Sequence, residues 1–187
     1  MPDTLSLPAL PAILGARGLC LRPRQAGDQL ALDALYQAWR VEQFAPGGLP
    51  LADCQQLACQ QCRAQRQYYR LLDGRLAWGV LTHHDVCVGR LYLQQRGHDL
   101  HVLDLLLQPA SRNQGVGSAP LAACRAHAGA LGCTQLSLQV ELSNVRALLL
   151  YQRLGLTLGE INGVHGQMIW PAARCDAPPP ASPDGGA

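Results

Sequence analysis

Three apolar segments in the middle of the chain, separated only by short polar turns, place the strongest constraint on the fold. They cover residues 75–82, 86–95 and 100–108 and are rich in Val, Leu, Trp and Tyr, which favour strands. The connecting residues 83–85 and 96–99 are polar or glycine and are typical of turns. We therefore predict an antiparallel meander of three strands.

Helices and further strands are predicted on both sides of this meander. Before it, a short strand at 18–22 is followed by helical spacing after Asp28 and by a long segment without Gly or Pro at 51–72. After it, the sequence predicts a helix, a strand of strict period two, a second helix and two final strands, over residues 115–131, 135–140, 144–154, 156–161 and 164–170.

Two local details of these elements can be predicted. Pro120 lies inside the helix at 115–131, and we expect it to bend that helix because proline removes a backbone hydrogen bond. Asn162 and Gly163 join the last two strands, and both residues tolerate the positive φ that a type I′ hairpin turn requires.

Length and composition predict one folded domain with a tail at each end. The chain has 187 residues, 48% hydrophobic and 15% charged, which is sufficient for one core. Prolines interrupt residues 1–17, and Pro and Gly dominate residues 171–187. We expect both segments to be tails, the second of them disordered, and the folded domain to cover residues 18–170.

Charge and hydropathy argue against several classes of protein. The formal net charge is +2, from 15 basic and 13 acidic side chains without a basic cluster, so we expect no nucleic-acid partner. No apolar run reaches the roughly 18 residues of a membrane span, and the start lacks the positive charge of a signal peptide. We expect no membrane partner and a cytoplasmic location. Every basic side chain is Arg, so lysine-based catalysis is excluded.

The eight cysteines are interpreted as reduced, largely buried thiols. Cys59 and Cys62 form a CxxC pair, but a structural zinc site usually has two such pairs, and a redox CxxC begins a helix after a strand. The residues His83-His84-Asp85 are explained by a polar turn. We therefore predict no metal, with a thiol-based metal or redox module as the alternative.

The strongest local signal is a glycine-containing turn between a predicted strand and a predicted helix, with the sequence Gln-Pro-Ala-Ser-Arg-Asn-Gln-Gly-Val-Gly at residues 108–117. Gly115 and Gly117 allow a tight turn and close approach of a ligand, and a helix start presents unpaired N–H groups. Arg112 adds a forked, charged donor. These features suit a diphosphate group, and an ordinary helix start with glycines for packing is the alternative.

Two other nucleotide-binding patterns do not fit this turn. A Rossmann fingerprint would need glycine where Pro120 stands, and a Walker loop would need a lysine.

Two blocks resemble motifs of the GCN5-related N-acetyltransferase (GNAT) family. Residues 112–117 (Arg-Asn-Gln-Gly-Val-Gly) resemble its acyl-CoA signature, Arg/Gln-x-x-Gly-x-Gly/Ala. Asn144, Ala147, Tyr151 and Gly155 resemble its later motif, Asn-x-x-Ala-x-x-x-Tyr-x-x-x-Gly-Phe, with Leu in place of Phe. The predicted order of elements resembles that fold as well. The resemblance implies an α/β fold with a mixed, mainly antiparallel sheet flanked by helices, which binds acetyl-CoA in a splay between central strands.

The resemblance further implies which residues contact acetyl-CoA. Backbone groups of Leu105, Leu106 and Leu107 would pair with the pantetheine arm like an added strand, and Asn144 would contact the same arm. The pyrophosphate would be held by Arg112, Asn113, Gln114, Gly115, Val116, Gly117 and Ser118.

Tyr151 would be the general acid that protonates the departing thiolate. A phenol suits this role because its pKa, about 10, lies a little above that of a thiol. The alternative for Tyr151 is core packing in an amphipathic helix.

The general base is less well specified by the sequence. Some relatives have Glu where this chain has Gln139, and an amide cannot accept the proton. Asp104 is the leading candidate, followed by Glu141, and a structural hydrogen-bonding role for Asp104 is equally consistent with the sequence.

The resemblance implies direct transfer of an acetyl group to the amine of a small molecule or peptide. The acceptor pocket would be shaped near residues 61–69 and 163–168, where Tyr68, Tyr69 and His165 are candidate contacts. A homodimer through strand edges or the last hairpin is consistent with this. The alternative function is a non-catalytic acyl-CoA-binding or regulatory domain, for which Gln139 is the motivating residue.

Overall fold

The computed structural model describes residues 4–112 and 117–171. Within them, the strands are β1 (Leu19–Pro23), β2 (Arg75–His83), β3 (Val86–Arg96), β4 (Asp99–Leu107), β5 (Gln135–Glu141), β6 (Thr157–Asn162) and β7 (His165–Pro171). The α-helices are α1 (Ala12–Ala16), α2 (Gln29–Phe44), α3 (Leu51–Arg70), α4 (Ser118–Ala130) and α5 (Val145–Arg153). The predicted order of strands and helices is confirmed, and α1 and three short 3₁₀ turns are additional.

The seven strands form one sheet in the order β1-β2-β3-β4-β5-β7-β6. The predicted meander is strands β2, β3 and β4, which pair antiparallel. β4 and β5 pair in parallel, and the other neighbouring strands pair antiparallel. The sheet is therefore mixed and mainly antiparallel, as the resemblance implied.

Helices cover the two faces of this sheet, because successive strand residues point to opposite sides. On one face, Leu106 of β4 packs with Tyr36 of α2 and Cys62 of α3. On the other face, Leu91 and Leu93 of β3 belong to the cluster that includes Leu121, Cys124 and Ala128 of α4.

The parallel pairing of β4 with β5 is short. It begins at Asp99 opposite Gln135 and ends at Val102 opposite Leu138. β4 continues to Leu107 and β5 to Glu141 without further pairing between them. The two strands therefore separate in the middle of the sheet, and we call the gap between them the splay.

The structure corrects two predictions about local geometry. Pro120 is the third residue of α4, where the backbone N–H has no helical acceptor, so proline costs no hydrogen bond there. The last hairpin turns at Gly163 and Val164, since Asn162 pairs with His165, and only Gly163 has a positive φ, 60°. A type I′ turn would require positive φ at both turn residues.

The segment before residue 18 contributes to the core. The side chain of Leu5 is 2% exposed and belongs to the cluster beneath α4, and its N–H donates to the carbonyl of Leu76 at 3.2 Å. The tail expected over 1–17 is therefore packed on the sheet in part of its length. The tail expected over 171–187 falls outside the described residues after Pro171.

No helix among residues 4–112 and 117–171 has the length and apolar character that crossing a bilayer requires.

A polar chain links β4 to β5 within their short paired region. The Ser137 hydroxyl donates its hydrogen to Asp99 at 2.6 Å. Because a hydroxyl has only one hydrogen to donate, His101 Nδ1 must be the donor in its 2.8 Å contact with Ser137 Oγ. His101 is 5% exposed, and burial, followed by the charge of Arg96, lowers its pKa from 6.5 to about 4.

This buried histidine predicts a loss of stability in acid. Between about pH 4 and 6.5 the unfolded chain binds the His101 proton and the folded chain does not, so unfolding becomes easier as pH falls. The full pKa shift of His101 corresponds to a change on the order of 3 kcal/mol in the free energy of unfolding. Urea unfolding at pH 7 and pH 4.5 should show a smaller loss in His101→Gln than in the wild type. Equal losses would contradict the assignment.

Candidate functional site

A cleft of about 620 Å³ opens where β4 and β5 separate. Four elements form its walls: α2, the end of β4, the start of α4, and α5 with the residue before it. Eight of the residues that the sequence analysis predicted for the site line this cleft: Leu105, Leu106, Leu107, Arg112, Gly117, Ser118, Asn144 and Tyr151.

The backbone of β4 faces the cleft at alternate residues. Gln108 N–H donates to the carbonyl of Val88 at 2.9 Å, which makes Gln108 and Val88 a hydrogen-bonded pair of the β3–β4 ladder. By alternation, Leu106 also bonds to β3, whereas the backbone groups of Leu105 and Leu107 point away from β3. Two of the three leucines can therefore pair with an extended ligand in the splay.

Arg112 lies at the rim of the cleft and is already partly engaged. Its Nε donates to the Leu107 carbonyl at 3.1 Å, and Nη1 donates to Glu42 of α2 at 2.9 Å. Its Nη2 is buried and has no hydrogen-bond partner among the described residues. The guanidinium thus retains a donor within the cleft, but a carboxylate of this chain competes for its charge.

The start of α4 completes this part of the cleft. Gly117 and Ser118 line it, and a Cβ on Gly117 would lie 3.3 Å from Leu107 Cδ1. Any larger residue would crowd the wall at that point. The other predicted pyrophosphate contacts, Asn113, Gln114, Gly115 and Val116, lie outside the described residues.

Asn144 and Tyr151 reach the cleft from the same side of α5. They are separated by seven residues, or two helical turns, which places them on one face. The Asn144 side chain caps the helix by accepting from Ala147 N–H at 3.1 Å. Burial raises the pKa of Tyr151 to about 12, and the negative charge of Asp104 adds to this effect. The Tyr151 hydroxyl is therefore protonated at neutral pH.

Asp104 is held on the α2 and α3 face of the sheet, behind the cleft wall. Its Oδ2 accepts from Arg90 Nε at 2.8 Å and from Arg90 Nη2, and Tyr69 Oη donates to the same oxygen at 3.4 Å. Its Oδ1 accepts no hydrogen bond among the described residues. The carboxylate is therefore anchored through one oxygen and open at the other.

Arg90 is a site residue that the sequence analysis missed. Its side chain is 5% exposed, it lies between the rings of Tyr36 and Tyr92 at 5.1 Å from each, and it also donates to Gln65 at 2.7 Å. The available signal was that Arg90 is the one charged residue within the apolar run 86–93 of β3, because such a charge is rarely buried without a partner.

The other candidates for proton transfer or substrate contact do not line the cleft. Gln139 and Glu141 are exposed on β5, and His165 is exposed opposite Glu141 in the β5–β7 ladder. Tyr68 is 54% exposed, whereas Tyr69 is largely buried beside Asp104.

A second cleft, of about 260 Å³, lies between α2, α3 and strands β2 and β3. We call it the arginine cleft, since Arg24, Arg66, Arg70 and Arg90 line it. It includes Tyr69, at the end of the region where the resemblance placed part of the acceptor pocket.

The cysteines of the described residues are all free thiols. Cys62 lies in the middle of α3, where it donates to Asp33 at 3.3 Å, and burial raises its pKa to about 11. In the described part of the chain, no group of three His, Cys, Asp or Glu side chains could hold a metal ion. The CxxC pair lies inside α3, where Cys62 is buried and Cys59 is half-buried.

Comparison with known proteins identifies the family. A model of the acetyltransferase (GNAT) family matches residues 32–156, more than half of the chain, and the chain belongs to this family. A search of curated proteins found no match.

Solved acetyltransferase structures share the fold. PaiA N-acetyltransferase from Thermoplasma acidophilum, solved with coenzyme A, has a TM-score of 0.66 at 15% identity, covering 82% of this chain and 98% of its own. Spermidine N-acetyltransferase from Vibrio cholerae, solved with CoA and spermine, has a TM-score of 0.57 at 14% identity, covering 83% and 96%. The ribosomal-protein-S18-alanine N-acetyltransferase from Escherichia coli has a TM-score of 0.56 at 19% identity, covering 83% and 94%.

The residues of the main cleft fit an acyl-CoA. The N–H and carbonyl of Leu105 and the N–H of Leu107 point away from β3 and match an extended amide-containing arm, whereas the Leu107 carbonyl already accepts from Arg112 Nε. The buried Nη2 of Arg112 has no acceptor among the described residues, and a phosphate oxygen would supply one. The helix start at Ser118 adds the positive end of a dipole.

The ion pair between Glu42 and Arg112 predicts how acetyl-CoA affinity can be changed. Exposed ion pairs contribute up to about 1 kcal/mol, so Glu42→Gln should tighten acetyl-CoA binding up to about fivefold by freeing Arg112. Arg112→Gln should weaken it by about tenfold or more. Isothermal titration calorimetry measures both changes.

Glu160→Gln on β6, outside the cleft, is the matched control for the loss of one negative charge. Weaker binding in Glu42→Gln would show that Glu42 helps to hold the ligand.

Proposed function

We propose that this protein is an N-acetyltransferase that transfers an acetyl group from acetyl-CoA to the amine of a small molecule or peptide, by direct attack in a ternary complex. Acetyl-CoA supplies a thioester, whose carbonyl the amine attacks and whose sulfur leaves as a thiolate. The observation that carries the proposal is the placement of a protonated tyrosine, Tyr151, in the same cleft as the unpaired backbone of β4.

The residues of the cleft divide the work between binding and proton transfer. The backbone of Leu105 and the N–H of Leu107 orient the extended arm through hydrogen bonds, with Asn144 beside them. Arg112 and the start of α4 bind the diphosphate. Tyr151 donates its hydroxyl proton toward the leaving sulfur, and at a pKa of about 12 the hydroxyl retains that proton until negative charge develops beside it.

We assign the role of general base, which takes the proton released by the acceptor amine, to Asp104. Its Oδ1 is the oxygen that can take the proton released by the amine, directly or through one water, while Arg90 fixes the carboxylate through Oδ2. Because its charge also raises the pKa of Tyr151, the two groups are close enough to interact. An acid and a base of this kind are what direct transfer requires on the two sides of the thioester.

Replacing Tyr151 tests the role of the general acid. Tyr151→Phe removes the hydroxyl and keeps the ring, so the acetyl-CoA dissociation constant should change by less than about twofold while kcat falls more than about tenfold. Initial rates of CoA release with a panel of amines, together with calorimetric titration, measure both.

Tyr68→Phe is the matched control, because Tyr68 is exposed and outside the cleft. An unchanged kcat in Tyr151→Phe would remove the acid role. Tight acetyl-CoA binding by the wild type without turnover of any amine would assign the alternative, a non-catalytic acyl-CoA-binding domain.

Replacing Asp104 separates its catalytic and structural roles. Asp104→Asn retains the shape but cannot accept the proton, so kcat should fall by about a hundredfold while the acetyl-CoA dissociation constant stays within about twofold. Asp28→Asn, which breaks the Asp28–Arg22 pair elsewhere, is the control for losing an ion pair. A lower melting midpoint with a normal kcat would show that Asp104 is structural only.

A further inference from the structure

The arginine cleft is lined by more positive than negative side chains. Asp33 is the one carboxylate among its lining residues, and it pairs with Arg66 at 2.8 Å. Arg90 pairs with Asp104 behind the wall. In the described part of the chain, Arg24 and Arg70 form no ion pair, and Arg24 donates only to the neutral side chain of Gln29. Two guanidinium groups are thus available to an anion.

Aromatic rings line the same cleft. Trp78 and Tyr92 meet edge to face with centroids 4.8 Å apart, and Tyr69 contacts both at 5.4 and 5.6 Å. Tyr92 is 3% exposed and packs behind the other two rings, whereas Trp78 and Tyr69 are half-buried and present a ring surface to the cleft. A flat or apolar body can pack on it while its charged end reaches an arginine.

The sheet register connects this cleft to the proposed site of transfer. Arg24 N–H donates to the Trp78 carbonyl at 2.8 Å, Trp78 pairs with Tyr92, and Tyr92 pairs with Asp104. These four residues form a row across β2, β3 and β4 from the end of β1. Neighbouring strands lie about 4.8 Å apart, so the Cα atoms of Arg24 and Asp104 are roughly 14 Å apart. The long Arg24 side chain spans part of that distance.

We propose that the arginine cleft binds the anionic end of the acceptor, so that the substrate is an amine with a carboxylate at the opposite end of a short aromatic or apolar body. This inference rests on the proposed function. The amine lies toward Asp104 and the carboxylate toward Arg24 and Arg70. The cleft volume, about 260 Å³, suits a body the size of an amino acid. A polyamine would place a second cation against the arginines.

Three amines that share one ring test the preference. They are 4-(aminomethyl)benzoate, 4-methylbenzylamine and 1,4-bis(aminomethyl)benzene, which place a carboxylate, a methyl group and an ammonium group opposite the reacting amine. We expect kcat/KM for the carboxylate to exceed that for the methyl compound by more than about tenfold, and the diamine to be the poorest substrate. A preference for the methyl compound or the diamine would overturn the proposal.

Variants locate the preference in the cleft. The double variant Arg24→Gln/Arg70→Gln should bring the carboxylate-to-methyl ratio of kcat/KM close to one. Arg63→Gln is the matched control, since Arg63 is exposed on α3 and does not line the cleft, and it should retain the preference. An unchanged ratio in the double variant would also overturn the proposal.

A binding measurement separates this inference from the proposed function. The unreactive probe 4-methylbenzoate should bind the wild type and the Arg63→Gln variant in calorimetric titration, and the double variant at least about tenfold more weakly. Binding of the probe by a protein that acetylates none of the three amines would support the cleft and count against the acetyltransferase. Acetylation of an amine without any binding of the probe would overturn the cleft and leave the acetyltransferase intact.

Discussion

The separation of two parallel strands is the constraint on which the rest of the site depends. Between Val102 and Leu107, β4 loses its partner on one side while it keeps β3 on the other. Unpaired backbone groups inside a protein are costly unless something binds them. The ligand cleft is thus a consequence of strand pairing, and the side chains of α2, α4 and α5 only complete walls around an opening that the backbone makes.

The paired end of the same two strands explains why the opening is stable. Ser137 joins Asp99 to His101 across β4 and β5 with contacts of 2.6 and 2.8 Å. Ser137 and His101 are buried, and the bonds to Ser137 satisfy its hydroxyl, so the two strands are held together at this end and diverge beyond Val102.

Local patterns in the sequence were sufficient for the elements and for one wall of the site. The period of two, the turn residues and the glycine-containing helix start act over a few residues, and they placed all seven strands and the start of α4 correctly within a few positions. The bend predicted at Pro120 was wrong because the effect of a proline depends on its position in the helix, and the sequence did not specify where the helix begins. In the first turn a missing N–H costs no hydrogen bond.

What could not be predicted depends on contacts between distant parts of the chain. Glu42 meets Arg112, and Arg90 meets Asp104, only after α2 and the meander have packed. Nothing in the sequence identifies Arg112, 70 residues away, as the partner of Glu42, and the bulge between Tyr92 and Leu93 shifts the register by which Asp104 faces its partners. The ionic partners that set the roles of Arg112 and Asp104 are therefore properties of the tertiary structure.

Helix α2 extends along both clefts. Its first turns contribute Leu32 and Asp33 to the arginine cleft, and its last turns contribute Trp39 and Glu42 to the main cleft. At 16 residues it is about 24 Å long, so the two clefts lie against opposite ends of one helix. Glu42 pairs with Arg112 of the main cleft near its last turn, and Asp33 pairs with Arg66 of the arginine cleft near its first turns. One helix thus supplies a carboxylate to the arginines of each cleft, and a substitution that shifts α2 changes the charge arrangement of both.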